Sequence, residues 1–287
     1  MPTLLQKELD SRKIPVKVSA IVNDTVGTLM ARAYSNCSRQ DSLIGAIFGT
    51  GTNCAYLEQT ENIPKLPKSV ASKSKYMIIN MEWAALDNAL NVLPNTAVDK
   101  EVDRCSINPG LQMLEKRVSG MFLGEIFRLS CMSMGPEFCK GNLGGKFSVQ
   151  WGVGSELLSR ICSSNPEAQV NENGRKGITN YLVKAGIAEA NISSEDIETA
   201  LNLARVIGER SAKLAGIALA SVCLQTKRLE KSETIDVGVD GSLVEYFPGY
   251  IDIIKRTLEL ILGQEKAKLI TVGLSIGKFH KLFTIGS

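Results

Sequence analysis

Apolar and polar positions alternate along this chain in two different periods, and the switches between them mark its elements. The opening pattern predicts a helix over Leu4–Arg12, then an apolar run at Val16, Val18, Ala20, Ile21 and Val22 that reads as a buried strand. A helical pattern over Val26–Tyr34 follows. Ser42–Phe48 and Cys54–Glu58 read as two strands joined by a glycine turn, a β-hairpin. Glu61–Lys75, with Pro64 and Pro67 among lysines and serines, is a loop, and Tyr76–Met81 is a strand by its Ile-Ile core. From Pro109 the pattern is helical, with Leu111, Leu114, Val118, Met121 and Leu123 near the helical period. A glycine- and cysteine-containing loop over Met132–Lys146 separates it from helices that dominate Glu156–Leu229, with a cap signal at Asn191–Glu195. Thr234–Val239 is a strand, Asp240-Gly241 a turn, and Leu243–Tyr246 the return strand of a second hairpin. A helix over Pro248–Leu262 and a strand over Leu269–Val272 close the order. Strands mixed with long helices define an α/β or α+β class with at least one sheet.

Composition narrows the function classes. The 287 residues, 44% of them hydrophobic, suffice for one large domain or two small ones. A net charge of +3 from 33 basic and 30 acidic residues gives no concentrated basic face for nucleic acid. The seven cysteines (37, 54, 105, 131, 139, 162 and 223) form no CxxC pair, and His280 is the single histidine. That argues against a disulfide framework and a zinc site and fits a reduced, cytoplasmic compartment. The N-terminus has no apolar signal core, and the apolar run Leu214–Leu224 is too short to span a bilayer.

Five stretches carry chemistry. Asn23 and Asp24 put an amide and a carboxylate side by side where an apolar run gives way to a helix. In Phe48-Gly-Thr-Gly-Thr-Asn-Cys-Ala-Tyr56, closely spaced glycines let the backbone approach a ligand and free amide N–H groups for a phosphate. It is not a dinucleotide fingerprint, because Cys54 stands at the third glycine's position. Gly141–Phe147 is one residue short of a P-loop and has Phe147 where a magnesium-binding hydroxyl belongs. Glu82, in Ile79-Asn-Met-Glu-Trp83, follows an apolar strand; Glu115 lies on the helix that Pro109-Gly110 opens; Asp236–Ser242 runs a strand into an Asp-Gly-Ser turn. Each has a plainer reading, as a tight hairpin, a surface acid or a solvated helix face. Together, amides and carboxylates at strand ends suit the hydroxyls of a polyol such as a sugar. Glycine turns suit phosphates, and a carboxylate among hydroxyl-binding groups can take a proton from an attacking alcohol.

The motifs IVNDTVGTL, FGTGTNCAY, MIINMEW, SINPGLQMLEKRVSGMFLGEIFRLS and VGVDGS, in that order, resemble the eukaryotic hexokinases and glucokinases, most closely the fungal ones. The resemblance covers Ile14 to Val272 and implies the actin-like, ribonuclease-H-like ATPase architecture, in which two α/β domains close on sugar and ATP. It divides the chain into residues 1–24, the end of the small domain and a connecting strand; 25–272, the large domain; and 273–287, a divergent tail. It implies ATP-dependent phosphorylation of a hexose, glucose by analogy, at the 6-hydroxyl, the first step of glycolysis. Asp24 matches the catalytic base that accepts the hydroxyl proton as the oxygen attacks the γ-phosphate of ATP, with Mg2+ bound to the nucleotide. Asn23, Asn53, Glu82 and Glu115 match the residues holding the other hydroxyls. Thr50, in its turn with Gly51, matches a phosphate contact; Gly120 lies near the same nucleotide; and Asp240-Gly241-Ser242 resembles the adenosine-site turn.

The departures shape the expectation. Family members carry, ahead of this region, an Asp-Leu-Gly-Gly-Thr phosphate turn and a Ser-Phe-Pro sugar loop with a following Thr-Lys, and none is present here. Leu274–Ser287 replaces a Gly-Ser-Gly-rich turn and small-residue helix with sequence that looks foreign, His280 included. Trp83-Ala-Ala-Leu86 departs where the family has Gly and Phe, and Glu209 stands where it often has a hydroxyl. Two readings therefore stand: a hexokinase, or a hexokinase-like sugar-binding or regulatory protein, or truncated gene product, impaired in turnover. Because domain closure assembles such sites and excludes water, the chain alone is expected to phosphorylate glucose little and bind it weakly. Apolar surface left without its partner domain favours self-association.

Overall fold

The computed structural model describes residues 2–18, 21–35, 42–71, 73–165 and 170–275. Among them, β1 (Ser42–Phe48), β2 (Thr52–Gln59), β3 (Tyr76–Asn80), β4 (Ile235–Asp240) and β5 (Ile270–Leu274) form one sheet in the order β3-β2-β1-β4-β5. Strands β1 and β2 form the expected antiparallel hairpin and β3 adds antiparallel to β2; β4 pairs parallel with β1, and β5 parallel with β4. The helices are α1 (Pro2–Ser11), α2 (Asp24–Ser35), α3 (Lys68–Ala71), α4 (Ala97–Arg104), α5 (Glu115–Val118), α6 (Gly120–Ser133), α7 (Ser155–Ser164), α8 (Glu172–Lys184), α9 (Ser194–Gln225), α10 (Ser242–Tyr246), α11 (Tyr250–Leu262) and α12 (Gln264–Ala267). None is long and apolar enough to cross a membrane.

The sheet's two faces do different jobs. On one, Ile44, Ala46, Phe48, Cys54, Val237 and Val239 are fully buried. The Phe48 ring lies 5.8 Å from that of Trp83 and 6.1 Å from that of Tyr250 on α11. Each such side chain contributes roughly 1.5–3 kcal/mol by leaving water, so this face anchors the large helical layer built around α9 and α11. Ser193 caps α9 through a capping box with Asp196, where the cap signal lies.

The other face is built around small residues. Gly45, Gly238 and Gly273 stand side by side on β1, β4 and β5. A Cβ on Gly45 would come within 2.5 Å of the Leu29 backbone nitrogen and 2.7 Å of the Thr25 carbonyl. The Arg32 side chain lies across the other two glycines. Helix α2 is thus seated in a glycine trench, its backbone against β1 and its C-terminal half over β4 and β5. Asp236, fully buried on the same face, receives Arg32 Nε at 2.9 Å and the second guanidinium nitrogen at 2.7 Å. A third contact, Arg32 to the Leu274 carbonyl at 3.0 Å, ties α2 to the end of β5.

Three expectations are corrected. Residues 14–18 and 21–23 form no strand (Ser19 and Ala20 lie outside the described residues), and Val16, Ile21 and Val22 are exposed. The outermost strands are β3 and β5, so no described strand pairs with residues 14–18 or 21–23, and apolar content alone does not supply a hydrogen-bonding partner. Leu243–Tyr246 is helical, in α10, because Gly241 at φ +113° turns the chain out of β4 and Ser242 starts a helix. The helical pattern from Pro109 does not begin until Glu115, since Gly110 and Gln112 have positive φ, and it breaks at Ser119, whose backbone is extended between α5 and α6. The tail from Ile276 on, His280 included, lies outside the described residues, while β5 runs two residues beyond the expected Val272.

Candidate active site

In open α/β sheets, ligands bind beyond the carboxyl ends of the parallel strands. At that end of this sheet lie the β1–β2 turn, the start of β2, the end of β3 and the end of β4. The Thr50–Gly51 turn, Asn53, Glu82 and Gly241-Ser242 therefore converge, although Asn53 and Ser242 are 189 positions apart in sequence.

Register decides which side chains share a face. Residues directly opposite on antiparallel strands point the same way. Asn53 opposes Ile47, and Ala55 opposes both Gly45 and Asn80, so Asn53 and Asn80 point to the face covered by α2. There Asn53 Nδ2 donates to Asn80 Oδ1 at 2.8 Å and to Glu82 Oε1 at 3.3 Å. Asn80 Nδ2 donates to the same Glu82 oxygen at 2.7 Å. Glu82 sits in the left-handed region at φ +51°, a conformation uncommon for a residue with a side chain and one that clusters at functional sites. Glu115 approaches from α5: its Oε2 accepts from the Thr52 N–H at 3.1 Å, and a Cβ on Gly51 would come within 2.9 Å of it. Gly51 is thus small so that the carboxylate can reach the hairpin.

Glu115 is held there by its neighbours. Lys116, buried, donates to Asp103 at 2.6 Å and to the Asn108 carbonyl at 2.7 Å. Arg117, also buried, donates to the Pro94 and Met113 carbonyls. Buried cations in the turn after Glu115 cannot rotate without losing these partners, so the α5 turn is rigid. Behind the hairpin, Trp83 Nε1 donates to the buried Thr52 hydroxyl at 2.9 Å.

Asn23 and Asp24 open α2. Asn23 Oδ1 accepts from the Thr25 N–H at 3.0 Å and from the Thr25 hydroxyl, the arrangement of an N-cap. Asp24 is the first helical residue and is exposed, its side chain accepting from the Thr25 N–H at 2.9 Å. A carboxylate at that position suits the helix dipole. Helix α2 packs over β1 and β2 and reaches β3, on the face that carries Asn53 and Asn80. No hydrogen bond among the described residues links Asp24 to Asn53, Glu82 or Glu115.

The glycine-rich elements meet one step away. The Gly120 N–H donates to the Gly49 carbonyl at 2.7 Å and the Met121 N–H to the Thr50 carbonyl at 3.2 Å, so the hairpin turn caps α6. Its carbonyls thus face the helix, while the N–H groups of Thr50 and Gly51 meet no acceptor among the described residues. Gly241 packs so tightly on this turn that a Cβ there would lie 2.5 Å from the Phe48 carbonyl. Ser242 then lines a cleft of about 620 Å³, together with Leu243, Tyr246, Ser155, Ser159 and Tyr181. The Ser155 hydroxyl is 3.0 Å from the Cβ position of Gly120, which joins cleft and turn. Glu209 does not line it; it pairs with Lys213 one turn along α9. Of the residues that sequence reasoning gave no role, Asn80 and Asp236 lie within stretches that drew attention, while Arg32 and the cleft-lining Ser155 and Ser159 lie outside them.

These features define an α/β protein with an amide–carboxylate cluster and a cleft lined largely by serines and tyrosines side by side beyond its strand ends. Comparison with known proteins gives the family. Models of the hexokinase family match residues 43–277 and residues 1–34, and the chain belongs to that family. It is 40% identical to a glucokinase of Aspergillus niger over 95% of this chain and 57% of that protein. It is 36% identical to hexokinase-2 of Schizosaccharomyces pombe over 94% of this chain and 56% of that protein. A hexokinase from Schistosoma mansoni complexed with glucose superposes with TM-score 0.77 at 28% identity, over 95% of this chain and 58% of that one. The chain thus spans a little over half the length of these relatives, and its fold is the α/β, actin-like ATPase architecture of the hexokinase large domain.

Proposed function

We propose that this chain carries the sugar- and nucleotide-binding face of an ATP-dependent hexose kinase. The observation that carries this reading is the gathering of Asn53, Asn80 and Glu82 into one hydrogen-bonded cluster on the face that α2 covers, with Glu115 bonded to the adjoining Thr52. Asp24 stands exposed at the first turn of α2. Amides and carboxylates in such a cluster match the alternating donor and acceptor needs of vicinal hydroxyls. Asn23 and the Asn53–Glu82–Glu115 set orient the hexose; Asp24 accepts the proton of its 6-hydroxyl as that oxygen becomes the nucleophile.

Bound ATP would supply the transferable γ-phosphoryl group, with Mg2+ neutralising its charge. The residues present fit it. The free N–H groups of Thr50 and Gly51, with Gly120 and Gly241 leaving room for close approach, suit phosphates. The cleft beginning at Ser242 has the size of a ligand pocket. Because phosphoryl transfer is mainly positioning and charge stabilisation, the protein's own contribution is this alignment and one base.

The test is turnover of glucose with Mg-ATP, read as glucose 6-phosphate, in the wild type and Asp24→Asn. Turnover abolished by the substitution supports the kinase reading. Turnover that survives it at the wild-type rate refutes the role of Asp24. Glucose binding with no turnover in either protein favours the sugar-binding, non-enzymatic alternative.

A further inference from the structure

We propose that Asn80 is itself a sugar-contacting residue, donating an amide N–H to a hexose hydroxyl beside the acceptor oxygen of Glu82. The proposal rests on the hexose-site reading and comes from counting donors and acceptors in the cluster. An asparagine amide carries two N–H donors. Those of Asn53 are both used internally, one on Asn80 Oδ1 at 2.8 Å and one on Glu82 Oε1 at 3.3 Å. Asn53 Oδ1 accepts from the Cys54 N–H at 2.7 Å. Glu82 Oε1 accepts from both asparagines, and its Oε2 meets no protein donor among the described residues. Asn80 spends one N–H on Glu82, and its second meets no acceptor among the described residues.

The cluster therefore presents one outward amide donor, on Asn80, and one outward carboxylate acceptor, on Glu82. A hydroxyl needs both, since it donates one hydrogen bond and accepts others. The backbone fixes the pair. Asn80 opposes Ala55 in the sheet, and the Met81 N–H donates to the Cys54 carbonyl at 2.9 Å, carrying the ladder one residue beyond β3. Asn53, with its donors committed, then serves chiefly to hold the Asn80 and Glu82 head groups in place.

The test titrates the isotope-labelled chain with glucose and with its 2-, 3- and 4-deoxy analogues by NMR, in the wild type, Asn80→Ala, Asn80→Asp and Asn53→Ala. Asn80 is exposed, so its variants are expected to give the dispersed spectrum of the folded protein. Losing one hydrogen bond, Asn80→Ala binds glucose about fivefold more weakly. For one deoxy sugar, the one lacking the contacted hydroxyl, that loss disappears. Asn80→Asp, which removes the donor and sets a second carboxylate beside Glu82, weakens binding at least as much. The proposal is overturned if Asn80→Ala binds glucose as the wild type does while Asn53→Ala binds it less well. It is equally overturned if the Asn80→Ala loss is the same for every sugar, for Asn80 would then only orient Glu82. A folded wild type with no response to glucose sinks the hexose-site reading itself, and the proposal with it.

Discussion

Replacing Arg32 with Met probes the seat of α2, on which the placement of Asp24 depends. The Asp236 side chain is fully buried and that of Arg32 is 18% exposed. The carboxylate, through its hydrogen bonds, holds the Arg32 guanidinium above its ordinary pKa. Removing one partner of a buried pair costs about 3–5 kcal/mol, because the other charge stays in low dielectric. Partial exposure of Arg32 puts the expected loss at the lower end, about 3 kcal/mol, a large share of the roughly 5–15 kcal/mol that holds a domain together. Met keeps most of the apolar stem over Gly238, so the loss reports on charge more than on packing. Asp236→Asn in the Arg32→Met background removes the charge that Arg32 balanced and restores much of the stability. The assay is urea unfolding followed by circular dichroism at pH 7. A loss below about 1 kcal/mol, as for a surface ion pair, refutes the reasoning. So does strict additivity of the two substitutions.

Other substitutions test neighbouring parts of the account. Gly45→Ala drives a methyl into the α2 backbone and should destabilise by about 1–3 kcal/mol, whereas Gly27→Ala, with nothing within 4 Å of its Cβ position, should stabilise by roughly 0.5–1 kcal/mol; thermal unfolding of the pair checks this, and equal effects would contradict it. Burial pushes Cys139, Cys162 and Cys223 up to about 12 and raises Cys54 and Cys131 as well. The unfolded thiols ionise near 8.5 while the folded ones stay protonated, so stability is intact below that pH and falls as pH rises beyond it. Melting curves from pH 7 to pH 10 should show this loss, and Cys223→Ala should make it less steep; a flat profile would contradict it. Asp24→Asn, at an exposed position, should leave the unfolding free energy from urea titration within about 0.5 kcal/mol of the wild type, and a larger change would mean that Asp24 is structural.

Much of the fold can be read in the sequence because it is written in local patterns. The bounds of β1 agree residue for residue with Ser42–Phe48, since apolar residues and the Gly49–Gly51 turn delimit the strand on their own. The Ser193 cap is legible for the same reason. Residues 16–22 and 243–246 read as strands because apolar content resembles strand content, yet a strand also needs a free sheet edge: residues 243–246 touch β1 and β4, which are already paired on both sides, and no described strand pairs with residues 16–18 or 21–22. The Arg32–Asp236 pair joins residues 204 positions apart, and nothing local to either signals the other. At the site, Asn53 and Glu82 were found through their motif, while the donor on Asn80 emerges only once register places it opposite Ala55. Sequence distance hides pairings that the sheet makes adjacent.

The central claim is that Asn23, Asp24, Asn53, Glu82 and Glu115 border a single hexose site. A glucose titration of the labelled protein, following the backbone amides of Thr25, Cys54, Glu82 and Glu115, tests it most directly. The account predicts that all four signals move together along one binding curve. Signals that respond to glucose at Cys54 and Glu82 but leave Thr25 still at saturation would separate α2 from the sugar and contradict it.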